Sequence, residues 1–159
     1  MVNEHASKGA ALARKATREC VCANLRRATR VVTKLYDDTL RPSGLKMTQF
    51  TLLSTLMALG SSTLSELAQE MVVDRTTLTR NLEILQERGL VLTEEGEDRR
   101  ERQLRLSDKG MTAVIGAYPL WQAAQTRAIE MAGRATWNAG VPLLRRFASS
   151  AAFEEDSVG

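Results

Sequence analysis

The feature that most constrains the fold is a change of hydrophobic period at Gly89. Before it, apolar residues recur at spacings of three and four, which is the period of an amphipathic α-helix. After it the period changes to two, and residues 90–93 and 103–106 predict two short strands. The charged, glycine-containing segment between them is typical of an exposed hairpin tip. We therefore predict a mainly α fold with a small β wing.

Two helices are predicted near the beginning of the chain. The first begins near residue 20, carries an apolar stripe opposite its arginines, and should stop at the Pro- and Gly-containing breaker at residues 41–44. The second, over residues 48–59, is apolar almost all round, so we expect it to be buried, with Gly60 ending it. Residues 1–17 are small, polar and basic, and we interpret them as a mobile arm.

Residues 63–88 have the pattern of two short helices joined by a tight turn. Thr63 and Glu66 form a capping box, in which each side chain accepts a hydrogen bond from the other residue's backbone N–H. Asp74 is placed to cap a fourth helix over residues 75–88. Helix, turn, helix and hairpin in this order predict a winged helix-turn-helix core. Helical character returns for about 25 residues from Ser107 and again over about residues 135–150, so helices flank this core on both sides.

The fourth helix has two distinct faces. At about 100° per residue, Leu78, Leu82 and Leu85 fall within about 60° of one another and should face the core. Thr76, Thr79 and Arg80 lie on the opposite face, together with two glutamates. Such short side chains let a helix approach a DNA major groove closely, where hydroxyl, methyl and guanidinium groups meet bases and phosphates. A solvated face with no partner is the alternative.

The predicted hairpin tip is rich in arginine. Arg99, Arg100 and Arg102 lie in or beside it. An extended arm that carries arginine suits a narrow minor groove, where the electrostatic potential is most negative. Asp98 is predicted to support the wing by orienting one guanidinium group through a bidentate pair. The alternative is a surface loop whose charges neutralise one another.

The composition excludes several classes of protein. The chain has 159 residues, 43% of them hydrophobic, which suffices for a packed core. No run of about 18 apolar residues predicts a membrane span, and no apolar segment near the start predicts a secretion signal. His5 is the single histidine and there are two cysteines, so most metal sites and Ser-His-Asp catalysis lack their central residue. We expect a cytoplasmic protein that is not an enzyme and needs no cofactor or metal.

The charge is unevenly distributed along the chain. Residues 1–46 carry ten Lys or Arg against four Asp or Glu, whereas residues 47–110 carry eight against eleven. The net charge of +3 favours a polyanionic partner. The acidic balance of the middle keeps a second hypothesis open: a helical protein–protein interaction module that does not bind DNA.

The residues of this middle region resemble the MarR family of bacterial transcription regulators. The resemblance is carried by LSELA at residues 64–68, DRTTLTR at 74–80, ERGLV at 87–91, DRR at 98–100 and LSDKG at 106–110. It spans about residues 20–150 and implies a homodimer that binds a palindromic operator in double-stranded DNA, usually as a repressor. Asp98 and Arg100 match the family's Asp-x-Arg wing motif. We predict that the DNA contacts are made by Arg75, Thr76, Thr77, Thr79, Arg80, Arg99, Arg100 and Arg102.

The resemblance also implies a division of the chain. Residues 46–106 form the winged helix-turn-helix region that binds DNA. Residues 18–45 and 107–151 form the helical dimerisation region, because the family's first helix and last two helices build its dimer interface. Residues 1–17 and 152–159 remain as a mobile basic arm and a flexible tail.

Family members are released from DNA by a small ligand or by thiol modification, and two groups of residues are candidates for such sensing. Cys22 and Tyr36 have the fourteen-residue spacing of the family's peroxide-sensing branch. Cys20 and Cys22 would point about 200° apart within one helix, so the alternatives are a one-cysteine mechanism and a reaction between the two thiols after local unwinding. A small aromatic ligand in a pocket lined by Tyr36, Tyr118 and Trp121 is the other candidate input. Plain buried thiols remain the third interpretation.

Overall fold

The computed structural model describes residues 2–95 and 102–151. The chain is mainly helical with one small antiparallel sheet, as predicted. In the described ranges the helices are α1 (Val2–Glu19), α2 (Val21–Leu40), α3 (Met47–Leu59), α4 (Leu64–Met71), α5 (Arg75–Glu87), α6 (Asp108–Ala132) and α7 (Arg134–Ala151). The strands are β1 (Ser61–Thr63), β2 (Val91–Glu95) and β3 (Arg102–Leu106).

The chain divides into two compact units, with the boundary between Leu35 and Tyr36. The first unit contains α1, in the segment where we expected a mobile arm. That segment is rich in alanine, lysine and arginine, which have high helix propensity. The prediction weighed polarity and not propensity, and therefore missed the helix.

A break between α1 and α2 lies at Cys20. The side-chain amide of Asn24 donates to the carbonyl oxygens of Arg18 (2.9 Å) and Cys20 (3.0 Å). The backbone of Cys20 keeps two helix-type bonds, from its N–H to Ala16 O (3.0 Å) and from the Asn24 N–H to its carbonyl oxygen (3.1 Å). The backbone N–H of Ala23 approaches the Cys20 sulfur at 3.5 Å. Cys20 thus belongs to neither helix, and the assumption that both cysteines share one helix is wrong.

The second unit is built around α3. Leu52, Leu53 and Leu56 are almost completely buried, whereas Met57 and Leu59 are exposed. The expectation that α3 is buried on all sides is therefore wrong at its C-terminal end. The core is completed by side chains from α2, α4, α5, β2, β3 and α6 and from the segments that join them, including Leu40, Leu67, Leu78, Leu85, Leu90, Leu104 and Ala117.

The sheet has the strand order β1-β3-β2, with both pairs antiparallel. Leu104 of β3 faces Ser62 on one side and Thr93 on the other. The prediction included β2 and β3 but missed β1. The three residues Ser61–Thr63 carry no apolar alternation, and their pairing is visible only once β3 is placed beside them.

The C-terminal end of α5 is held by the first turn of α6, and we call this contact the α5–α6 junction. Lys109 Nζ donates to the carbonyl oxygen of Arg88 (2.7 Å), and Ser107 Oγ donates to that of Gly89 (2.7 Å). The backbone N–H of Ser107 donates to Leu90 O (3.1 Å). Ser107 Oγ also accepts the N–H of Gly110 (3.0 Å), which makes Ser107 the N-cap of α6.

In the described ranges, no helix is both long enough and apolar enough to cross a membrane.

Two separate glycine-to-alanine substitutions in α6 test the close packing at the α5–α6 junction. A β-carbon on Gly110 would overlap with the carbonyl oxygen of Leu90 and lie 3.1 Å from its carbonyl carbon, so Gly110→Ala should lower the free energy of unfolding by about 2 kcal/mol. Gly116 is in the same helix and has no atom within 4 Å of such a β-carbon. Gly116→Ala should therefore raise stability by roughly 0.5 to 1 kcal/mol. Urea unfolding followed by circular dichroism measures both, and equal effects of the two substitutions would refute the close contact.

Candidate DNA-binding surface

One face of helix α5 packs against the core, and the opposite face is exposed. Leu78, Leu82 and Leu85 are buried, as the helical period predicted, and Thr76 and Arg80 on the opposite face are exposed. Burial of three leucines stabilises the helix on its support by several kcal/mol, at about 1.5 to 3 kcal/mol per side chain. The outer face is thus held rigidly enough to act as a recognition surface.

The N-terminus of α5 is capped by Asp74, as predicted. Its carboxylate accepts hydrogen bonds from Thr77 Oγ1 (2.7 Å) and from the Thr77 backbone N–H (2.8 Å). These bonds favour the ionised form and lower the pKa of Asp74, with the Thr77 hydroxyl as the main cause. The negative charge also lies at the positive end of the helix dipole.

The capping box of α4 is present as well. Glu66 accepts the backbone N–H of Thr63 at 2.8 Å, while Thr63 Oγ1 accepts that of Glu66 at 3.2 Å. The pKa of Glu66 is lowered, mainly by the bond from the Thr63 backbone. The turn between the two helices contains Val72 at φ 51°, a left-handed conformation that is rare for a β-branched residue.

The structure distinguishes the five residues of α5 that we predicted to contact DNA. Arg75 donates to Ser65 Oγ of α4, so it also ties the two helices together. Thr77 and Thr79 already donate their hydroxyl hydrogens, to Asp74 and to the Arg75 carbonyl (2.7 Å), and retain only acceptor capacity. Within the described residues, the side chains of Thr76 and Arg80 make no hydrogen bond or ion pair. These two retain their full bonding capacity for a partner.

The wing is anchored to α5 at its base. Gln86 Nε2 donates to Thr93 Oγ1 of β2 (2.7 Å), a link that the sequence patterns did not reveal. Arg105 of β3 forms an ion pair with Glu94 across the hairpin, and the hydrogen bond from Arg105 lowers the pKa of Glu94. Arg102 is exposed at the start of β3. Asp98, Arg99 and Arg100 lie outside the described residues, so their roles stay predictions.

The predicted sensing residues are distributed over both units. Cys20 and Cys22 are free thiols and exposed, which is inconsistent with buried structural thiols. Among the described residues, no group of three or more His, Cys, Asp or Glu side chains is placed to hold a metal ion. Tyr36 is buried; its hydroxyl donates to Gln125 Oε1, and burial raises its pKa.

A cavity of about 670 Å³ lies between α3 and α6. Tyr118 and Trp121 line it, but Tyr36 does not, so the prediction that all three share a pocket is wrong for Tyr36. The Tyr36 hydroxyl instead donates to Gln125, which lies 89 residues further along the chain, a contact that no local sequence pattern predicts. The indole of Trp121 stacks on Phe50 with ring centroids 6.1 Å apart.

Comparisons with known proteins agree with this architecture. Residues 43–101 match the sequence model of the MarR family. The Mycobacterium tuberculosis transcriptional regulator MosR, crystallised in complex with DNA, is 40% identical over 87% of this chain and 98% of that one, with a TM-score of 0.71. Bordetella bronchiseptica BpsR, whose DNA binding is regulated by 6-hydroxynicotinic acid, is 26% identical over 82% and 94% of the two chains, with a TM-score of 0.75.

A third relative is YwoH of Bacillus subtilis, an uncharacterised HTH-type transcriptional regulator. It is 32% identical over 78 residues, and this match spans 49% of this chain and 57% of YwoH. The helix-turn-helix, its wing and the near full-length similarity to MosR lead to one conclusion. The chain belongs to the MarR family of winged helix-turn-helix proteins, which are DNA-binding transcriptional regulators and not enzymes.

Proposed function

We propose that this regulator is a repressor that binds a palindromic operator in double-stranded DNA as a homodimer. The observation that carries the proposal is the outer face of α5, where Thr76 and Arg80 are exposed above a buried row of leucines. A helix with this arrangement enters the major groove with its N-terminal residues against base edges. Arg75, Thr77 and Thr79 flank these two and complete the contact surface on α5.

The wing supplies the second set of contacts. Arg102 is exposed where β3 begins, and Gln86 and Thr93 hold the hairpin base against α5. When α5 occupies the major groove, the wing reaches the adjacent backbone and minor groove. Arg99 and Arg100, oriented by Asp98, are the residues that we propose to enter it.

Exposed apolar side chains on α7 support the dimer. Leu143, Leu144 and Phe147 are each between 42% and 56% exposed, although Leu and Phe are normally buried. A second copy of the chain packed on α7 would cover them. Two-fold symmetry would then present two α5 helices to the two half-sites of a palindrome.

A small aromatic ligand in the cavity between α3 and α6 is the first proposed release signal. The regulation of BpsR by 6-hydroxynicotinic acid supports an effector of this kind. Helix α6 lines the cavity through Val114, Tyr118 and Trp121, and the same helix holds the end of α5 at the α5–α6 junction. A ligand that displaces α6 therefore displaces α5 as well.

Oxidation of Cys20 and Cys22 is the second proposed release signal. A hydroperoxide would oxidise one thiolate to a sulfenic acid and leave as an alcohol, and the second thiol would then condense with it and release water. The exposure of both thiols supports this reaction, and Cys20 lies between α1 and α2 and belongs to neither helix.

Two arginine substitutions, one on α5 and one on α7, test the DNA contact. Arg80→Ala should weaken binding to the promoter region of its own gene about tenfold or more, and should reduce the salt dependence by about one ion per site, or two per dimer. Arg134→Ala, at the exposed start of α7, removes the same charge outside the proposed surface and should have little effect. Titrations at several salt concentrations, with sedimentation to confirm the dimer, measure both. Equal affinities for wild type and Arg80→Ala would contradict the proposed groove contact.

The cap of α5 should respond to pH. Because the folded state lowers the pKa of Asp74, its carboxylate stabilises the fold fully above pH about 4 and loses this effect as the pH falls through the folded-state pKa. Thr77→Val removes the hydroxyl bond and should raise the Asp74 midpoint in a carboxyl NMR titration. Thr76→Val, next to it, should leave the midpoint unchanged. If Thr77→Val also leaves it unchanged, the assigned cause of the shift is wrong.

The thiol signal can be tested with an organic hydroperoxide. Treatment should reduce DNA binding by wild type, and dithiothreitol should restore it. Cys20→Ser and Cys22→Ser should each retain binding after treatment if the two thiols form a disulfide. Loss of binding in only one variant would identify a single-cysteine mechanism, and an unaffected wild type would remove the thiol signal altogether.

A further inference from the structure

The cavity between α3 and α6 has an unusual distribution of charge. Its walls are largely apolar and aromatic, with Phe50, Tyr118 and Trp121 as the rings. Glu70 of α4 is the acidic residue that lines it, and none of the described residues lining it is Lys, Arg or His. A negatively charged ligand would therefore lie near the Glu70 carboxylate. None of the described lining residues carries a positive charge that could balance it.

The three rings form one aromatic surface. Trp121 stacks on Phe50 at 6.1 Å, with an interplanar angle of 20°, and Tyr118 lies 5.4 Å from Trp121. The faces of such rings carry negative electrostatic potential and attract cations placed within about 6 Å of a centroid, with indole the strongest. The rings and Glu70 therefore both favour a positively charged ligand.

A buried hydroxyl gives a second, independent observation. Ser54 Oγ is buried, lines the cavity, and has no hydrogen-bond partner in the described part of the chain. Leaving a buried polar atom without a partner is costly, at about 1 to 3 kcal/mol. The hydroxyl oxygen of Ser54 is a ready acceptor for an N–H group that enters the cavity.

We propose that the cavity selects a planar aromatic cation that carries N–H donors, of the kind that an amino-substituted nitrogen heteroaromatic forms when its ring nitrogen is protonated at neutral pH. Its ring stacks against Trp121 and Phe50, its positive charge is balanced by Glu70, and an N–H donates to Ser54 Oγ. This inference rests on the proposed role of the cavity as the effector site. It adds the sign of the charge, so the preferred ligand of this cavity differs from an aromatic carboxylic acid such as the 6-hydroxynicotinic acid that regulates BpsR.

Three quinolines substituted at the same ring position test the charge preference at pH 7.5. They are 4-aminoquinoline, which is a cation, 4-methylquinoline, which is neutral, and quinoline-4-carboxylate, which is an anion. Calorimetry on the full chain should give an affinity for the cation at least tenfold above that for the neutral compound, with the anion weakest. Glu70→Gln should remove most of the preference, whereas Glu130→Gln, an exposed carboxylate elsewhere on α6, should preserve it.

Ser54→Ala tests the hydrogen bond separately. The substitution should stabilise the free protein, because it removes an unpartnered buried hydroxyl. It should also weaken the binding of 4-aminoquinoline severalfold and leave the binding of 4-methylquinoline unchanged. An equal loss of affinity for both compounds would overturn the proposed role of Ser54.

The outcomes separate this inference from the function on which it rests. Tighter binding of the anion or the neutral compound, with release of DNA, would overturn the charge preference and leave the effector cavity intact. A preference for the cation that persists in Glu70→Gln would also overturn the inference. If none of the three compounds binds, both the inference and the effector role of the cavity fail, while DNA binding by α5 is judged by the Arg80→Ala titration alone.

Discussion

The position of the recognition helix depends on how the backbone carbonyls at its end and just beyond it are satisfied. An α-helix ends with four carbonyl groups that have no partner within the helix. In α5, the carbonyls of Ile84, Leu85 and Gln86 accept backbone N–H groups of the residues that follow the helix. The next carbonyls, of Arg88, Gly89 and Leu90, accept hydrogen bonds from Lys109 and Ser107 at the beginning of α6. Gly110 allows this approach because any β-carbon there would overlap with Leu90. The wing leaves and rejoins the chain at this same junction, so α5, the wing and α6 form one connected arrangement.

That arrangement gives a physical route from an effector to DNA in the proposed function. Helix α6 lines the cavity in its middle and holds α5 at its beginning. Helix α4 reaches the cavity through Glu70 and contacts α5 through Ser65 and Arg75. A ligand between α3 and α6 therefore acts on both helices that support the recognition surface. The coupling follows from shared elements and requires no change within α5 itself.

The sequence was most informative where a structure depends on residues close together in the chain. The caps at Thr63 and Asp74 and the buried leucines of α5 were predicted correctly, because a cap involves residues three apart and a helix face has a period of 3.6. The helix over Val2–Glu19 was missed because polarity was weighed above the helix propensity of its alanine-rich sequence. Strand β1 was missed because its three residues become a strand only through pairing with β3.

Local patterns also misplaced two candidate sensing groups. The break at Cys20 separates the cysteines between two backbone environments, although the helical period continues almost without interruption through this segment. Tyr36 is aromatic and lies on the apolar face, as a pocket residue would, but its hydroxyl donates a half-buried hydrogen bond to Gln125. Glu70 and Ser54 carried no sequence signal as cavity residues, since a single acid or serine on a helix has no distinctive spacing.

The amino-acid pattern alone was enough to establish a winged helix-turn-helix and the face of α5 that points away from the core, because capping and periodicity act over three or four residues. Folding in three dimensions decided which hydroxyls on that face remain available, how α6 holds α5, and which charge the cavity presents. Each of these depends on contacts between residues far apart in the chain, such as Arg88 with Lys109, or on a wall built from three different helices. No local period encodes such contacts, since they exist only once the helices have packed.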